Sequence, residues 1–342
     1  MAGATAPVSP PGAAIRPPRE RVSSWPLVDR IFYGLCWATG IGLCLIAVWI
    51  VLFMLSKGIS NLSLHLLVTS PAASLHQTQS GGFKDPLIGT FIVAAIGIVI
   101  AAPLGVAIAA WLVEFGRPAW LARAVESSIE MLAGTPSVVL ALFALIIFSQ
   151  GFLSFLSQGA AHGALGLSFF NAGITMSLLA LPLIVAVTRE ALQQLPARMR
   201  EASLALGKTR ATTTRHVLLP AIRPSIASGV VLGMGRIIGD TAIITLVLGV
   251  SLTNEPVGHT PVVGYLRGTG STLTSYIYNN SPAGDGNSHE KAYAAAFVLL
   301  MIVLALNALA TRLAGGGQAG TDNGRRRVRN TLLAYARGGA TS

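Results

Sequence analysis

Two opposite charges stand four residues apart in an otherwise apolar run, Gly233-Met-Gly-Arg236-Ile-Ile-Gly-Asp240-Thr241. On one helix, residues i and i+4 share a face, so guanidinium and carboxylate would meet. A charge at bilayer depth is costly and turns toward a cavity or a partner. Arginine offers a planar fork of donors that suits the oxygens of a phosphate or a carboxylate. Two readings compete: an intramembrane ion pair that locks the helix, and an anion-handling site in which Asp240 holds Arg236 until substrate displaces it. Arg189, with Glu190, ends another apolar run. It is either the solvated start of a loop or a second charged point on the path. Thr135 and Ser137 flank Pro136. Proline biases Thr135 away from helix, so the two hydroxyls either line a polar pocket or cap a helix start.

A different stretch suits mechanical work. Glu201-Ala202-Ser203-Leu-Ala-Leu-Gly207 is followed after nine residues by Val217-Leu-Leu219-Pro220. Good helix formers predict a short helix over 198–206. Gly207 stands where glycine ends such a helix, and Pro220 suits the first turn of the next one. Ala202, Gly207, Lys208 and Thr209 also fit a loose phosphate-loop pattern. That loop needs a preceding apolar strand and several glycines, and Leu195-Pro-Ala-Arg-Met-Arg200 is no strand. Nucleotide binding by this chain is therefore rejected.

The elements that must position these residues follow from composition. The chain has 342 residues, 52% hydrophobic and 11% charged, with mean hydropathy +0.65. That is the profile of an all-α protein that crosses a membrane several times. Six apolar runs are expected to span, at 31–55, 87–113, 131–148, 167–188, 217–250 and 291–313. Residues 1–29 read as a disordered tail, 30–56 as the first span, 87–313 as the core of the remaining spans, 189–220 as its polar loop, and 314–342 as a basic tail. Pro103 is expected to kink the second span, and 114–130 reads as an interfacial helix. Cys36 and Cys44 lie in the first apolar run and imply neither disulfide nor metal.

A net charge of +11 and a pI near 10.5 would suggest nucleic acid for a soluble protein. Here the arginines cluster in the tails and in the segments around residues 117–123 and 189–223, leaving Lys57, Lys84, Arg267 and Lys291 for the other side. The positive-inside rule then puts both termini in the cytoplasm and 251–290 outside. Ser271 is expected to be reachable from outside, and Thr213 to lie inside. Arg325 to Arg327 and Arg329 are expected to rest on anionic lipid heads, with no nucleic acid involved.

The spacing from Glu201 to Pro220 resembles the EAA loop of ABC-importer permeases, with Ser203 for the second Ala and Val217 for the usual Ile. Leu132-Ala-Gly-Thr-Pro-Ser-Val-Val139 and Gly235-Arg-Ile-Ile-Gly-Asp-Thr241 resemble segments of Pst-type phosphate permeases, A-type subunits in particular. Asp240 stands where that family has Glu. Ala186 and Arg189 stand where it often has Arg and Glu, so a role for that second pair does not carry over. The resemblance implies the six-helix type I (MetI-like) permease fold in a bacterial inner membrane. It implies ATPase docking by Glu201, Ala202, Ser203, Gly207, Leu219 and Pro220, while Arg236, Asp240, Thr135, Ser137 and Arg189 stand as the candidates for a substrate pathway by their types and places alone. It further implies a C-type second permease subunit, two ATPase subunits that use the ATP, and an extracytoplasmic phosphate-binding protein. No catalytic residue, metal or bound cofactor is expected in the chain itself. The alternatives are the same machine for another oxyanion such as sulfate or molybdate, a secondary transporter, or a membrane phosphate-sensing scaffold.

Overall fold

The computed structural model describes residues 26–71, 81–150, 153, 156–157, 166–249, 254, 261–282, 284 and 288–338, with backbone alone for 261–262 and 314–338. The expected disorder of the N-terminal tail lies outside these residues up to 25. The chain divides into two compact units at Phe53.

The described part of the first unit is one stretch of helix α1, Leu27–Asn61, which ends in the second unit. It starts inside the segment assigned to the tail. Its side chains in the first unit are apolar on every side and almost all exposed, among them Trp37 and Trp49. A helix that is apolar all round belongs in a membrane or against another chain.

The second unit holds α2 (Leu64–Val68), α3 (Lys84–Ala110), α4 (Ala119–Gly134), α5 (Ser137–Phe148), α6 (Phe169–Gln193), α7 (Ala197–Ala205), α8 (Arg210–Thr213), α9 (Leu219–Ala221), α10 (Arg223–Ile238), α11 (Pro261–Arg267), α12 (Leu273–Asn280) and α13 (His289–Gly338). Wider π-type turns extend α3 over Trp111–Phe115 and fill Thr214–Leu218 and Ile244–Leu248. Four helices are long and apolar enough to cross a membrane, and six spans result if each of two bent pairs counts as one.

The core is a seam between α3 and α6, with α10 laid across both. Val93, Ala101, Met176, Ala180, Ile184 and Ile237 are all buried there. Glycines set the closeness of approach. A methyl group on Gly173 would fall 2.4 Å from Ile96, and one on Gly105 would fall 2.8 Å from Ile184. Small residues at such contacts let membrane helices pack by dispersion alone, where lipid supplies no hydrophobic drive. Pro103 lies within α3, and Pro182 within α6.

Several expectations change. The third span is not one helix from 131: α4 and α5 meet at a bend of 106°. Thr135 is extended (ψ 128°) because the Pro136 ring excludes the helical region before it. With 12 residues, α5 covers only about 18 Å of a core of about 30 Å. The fifth span is broken too, by 71° at Ile222 and again after Ile238.

Residues 251–290, read as a plain polar loop, contain α11 and α12, and α12 is packed inward. Thr272 caps α12 in a reciprocal box with Ser275, and Leu273 donates its N–H to Thr90 Oγ1 at 2.9 Å. Ser271 is consequently buried at 1% exposure, and Thr213 at 3%. Neither position reports on sidedness as expected. At the other end, α13 continues as helix to Gly338, through most of the segment assigned to the basic tail. The side chains of its arginines lie outside the described residues.

Candidate functional site: a solvent-facing hairpin and separate charged points

The polar loop folds as its residue types dictate. Pro196 starts α7 and Leu206 ends it. Gly207 then turns left-handed at φ +75°, with its N–H on Leu204 O (2.9 Å) and that of Lys208 on Ser203 O (3.3 Å). This paired closure is the Schellman ending, and a left-handed residue is what it requires. Thr209 accepts the Thr212 N–H and starts α8, and Pro220 falls in the first turn of α9.

Glu201 and Ala202 face solvent, as do Leu204 (44% exposed) and Leu206 (80%). Burying one such leucine against a partner is worth roughly 1.5–3 kcal/mol. Ser203 turns the other way, to 5% exposure, and its Oγ lies 2.9 Å from Thr213 Oγ1. Ser203 therefore ties α7 to α8 and is not part of the exposed face. Leu219 and Pro220 are half-buried, Leu219 against Leu192, Leu218 and Ile222.

The charged points are separate. Arg236 is exposed near the end of α10, and its guanidinium has no ion pair or hydrogen bond among the described residues. The expected i, i+4 helical pair with Asp240 does not form, because α10 stops at Ile238 and Gly239 caps it. Asp240 Oδ1 instead accepts the Ile243 N–H at 2.9 Å, and its carbonyl accepts the Thr274 hydroxyl of α12 at 3.2 Å. The carboxylate caps the next helical turn, a role in which Asp is strongly preferred.

Arg189 is ion-paired with Glu126 of α4, which its reading as a freely solvated residue did not anticipate. The pair borders a cavity of about 210 Å³ that Glu130, Ala133, Pro182 and Ala186 also line. Thr135 donates its hydroxyl to Met131 O at 2.7 Å, closing the end of α4. Ser137 opens α5 half-buried. Among the described residues no hydrogen bond or ion pair links Arg189, Arg236 and the Thr135–Ser137 bend to one another.

One contact has no counterpart in the sequence reading. Arg200 of α7 donates Nε to Glu114 Oε1 at 2.9 Å, Nη2 to Leu192 O at 2.9 Å and Nη1 to Leu195 O at 3.2 Å. Among the described residues, groups of His, Cys, Asp and Glu that could hold a metal are absent.

Residues 101–315 match the family described as binding-protein-dependent transport system inner membrane component, and the chain belongs to that family. It is a multi-pass inner-membrane permease subunit of an ABC importer of the Pst type. Phosphate transport system permease protein PstA of Haemophilus influenzae is 30% identical over 288 residues, covering 83% of this chain and 89% of that one. Probable ABC transporter permease protein YqgI of Bacillus subtilis is 30% identical over 290 residues, covering 83% and 92%. A chain of the bacterial alginate ABC transporter, solved with an alginate pentasaccharide-bound periplasmic protein, shares the fold at TM-score 0.57 and 18% identity, covering 83% of this chain and 95% of that one.

Proposed function

We propose that this chain carries inorganic phosphate through the membrane as one permease subunit of an ATP-driven importer. The observation that carries the reading is Arg236: a guanidinium exposed on a membrane helix, with its nearest carboxylate turned away to cap another turn. A cation so placed needs an anion, water or another subunit to face. Its likeness to phosphate transport system permease proteins favours phosphate over sulfate or molybdate as that anion.

The other parts follow from the same machine. A C-type permease subunit completes the path, and two ATPase subunits hydrolyse the ATP and receive the exposed face of α7. An extracytoplasmic phosphate-binding protein delivers the substrate. This chain holds no cofactor. ATPase closure displaces α7, and the helices change which side the path opens to.

Uptake of labelled phosphate into proteoliposomes holding the whole complex tests the substrate. Excess unlabelled phosphate should suppress uptake, whereas sulfate and molybdate should not. Suppression by sulfate or molybdate alone would transfer the reading to that oxyanion, and uptake without ATP would remove it.

Sidedness has its own test. With Cys36 and Cys44 replaced, Tyr278→Cys on the exposed part of α12 should react with an impermeant thiol reagent in intact cells, and Lys208→Cys should not. The opposite pattern would invert the orientation.

A further inference from the structure

We infer that Arg200 and Glu114 form the joint through which the docking helix moves the spans, an inference that rests on the docking reading above. A docking helix can act at a distance only if something stiff connects it to the membrane helices. Its own backbone is a poor connector on either side. Pro196 interrupts the chain before α7, and the left-handed Gly207 interrupts it after.

The Arg200 side chain bridges the first of these interruptions. Its three donors reach Glu114, on the last turn extending α3, Leu192 O in the last turn of α6, and Leu195 O just beyond that helix. The C-terminal end of a helix carries the negative end of its dipole, so a cation is suited to it. Glu114 is only 12% exposed and Arg200 only 25%, so the pair is shielded from solvent more than a surface pair is. Ala110, Leu192, Leu218 and Ile222 pack as a small apolar cluster of the same region. The two helices so grasped, α3 and α6, are those that meet along the glycine seam. One guanidinium therefore holds α7 against the central pair of helices, whereas α7's closure on α8 depends on Ser203 and Thr213 instead.

The joint predicts uncoupling, not loss of assembly. In the reconstituted complex with its ATPases, Arg200→Ala should lower phosphate transported per ATP hydrolysed by roughly tenfold or more, since a charge-assisted three-bond contact is removed. ATP hydrolysis and co-purification of the partners should persist. Glu114→Gln, which keeps shape and loses charge, should lower the same ratio, and Arg200→Lys should fall between. A merely structural role would lower assembly and thermal stability and leave the ratio unmoved. Should Arg200→Ala fail to assemble, Glu114→Gln decides. A wild-type ratio in Glu114→Gln overturns the inference. The docking reading fails separately if Glu201→Lys transports like wild type.

Discussion

Arg236→Gln is expected to abolish phosphate uptake while the chain still assembles with its partners. The exposed position of Arg236 is the reason for the second half. No partner within the described residues depends on it, so glutamine leaves no orphaned carboxylate and no cavity. The first half comes from electrostatics. An uncompensated ion in a low-dielectric path costs several kcal/mol, which corresponds to a loss of roughly a hundredfold or more in rate. Arg236→Lys keeps the charge and loses the fork, and should transport weakly. Asp240→Asn should be mild, because asparagine caps as well as aspartate, and Asp240→Ala should be worse. The measurement is labelled-phosphate uptake beside co-purification of the partner subunits. Normal uptake by Arg236→Gln would remove Arg236 from the path, and failure to assemble would make it a structural residue.

The second large effect is expected in the hairpin. At φ +75°, Gly207 occupies backbone space that costs an L-residue about 1–2 kcal/mol, and more if it is β-branched. A Cβ there would meet no atom within 4 Å. Within this chain, the cost of substitution at 207 is therefore set by backbone conformation and not by a clash at Cβ. Gly207→Val should unwind the end of α7 and abolish ATP-driven uptake with membrane insertion intact. Gly207→Asn, which tolerates the left-handed region, should retain most of it. Glu201→Lys should also abolish uptake, although Glu201 is exposed and its replacement disturbs no contact of the fold. An ordered loss, Val far below Asn, would be the sign of the turn. Equal activity in both variants would show that the turn's shape is not what the ATPase reads.

The hairpin was legible because its signals are local. A glycine and a proline at fixed offsets from a run of helix formers define caps whatever lies around them. Which way Ser203 faces was not legible, since that depends on Thr213 in the next helix. Arg236 and Asp240 do not share one helical face, because Gly239 between them ends α10. Gly239 followed by Asp240 and Thr241 is a helix stop followed by a start, and that signal was available. The fold of 251–290 also had a trace, in Thr272 and Ser275 bracketing Leu273 before Tyr276. The Arg200–Glu114 contact had none. Its partners are 86 residues apart, and only the meeting of α3 with α6 places Glu114 beside α7.

The glycine seam of α3 and α6 limits how the protein can move. A sliding interface needs clearance for side chains to pass one another, and closely packed interiors exchange discrete arrangements instead of deforming continuously. With Ile96 seated on Gly173 and Ile184 on Gly105, translation of one helix past the other would drive each isoleucine into a neighbouring residue that has a side chain. The seam therefore behaves as a weld. Rotation has to be absorbed where regular helix is already interrupted, at Thr135–Pro136, at Ile222 and at Gly239. Freezing the weld with a covalent link should cost the transporter nothing, and stiffening any of those three interruptions should stall it.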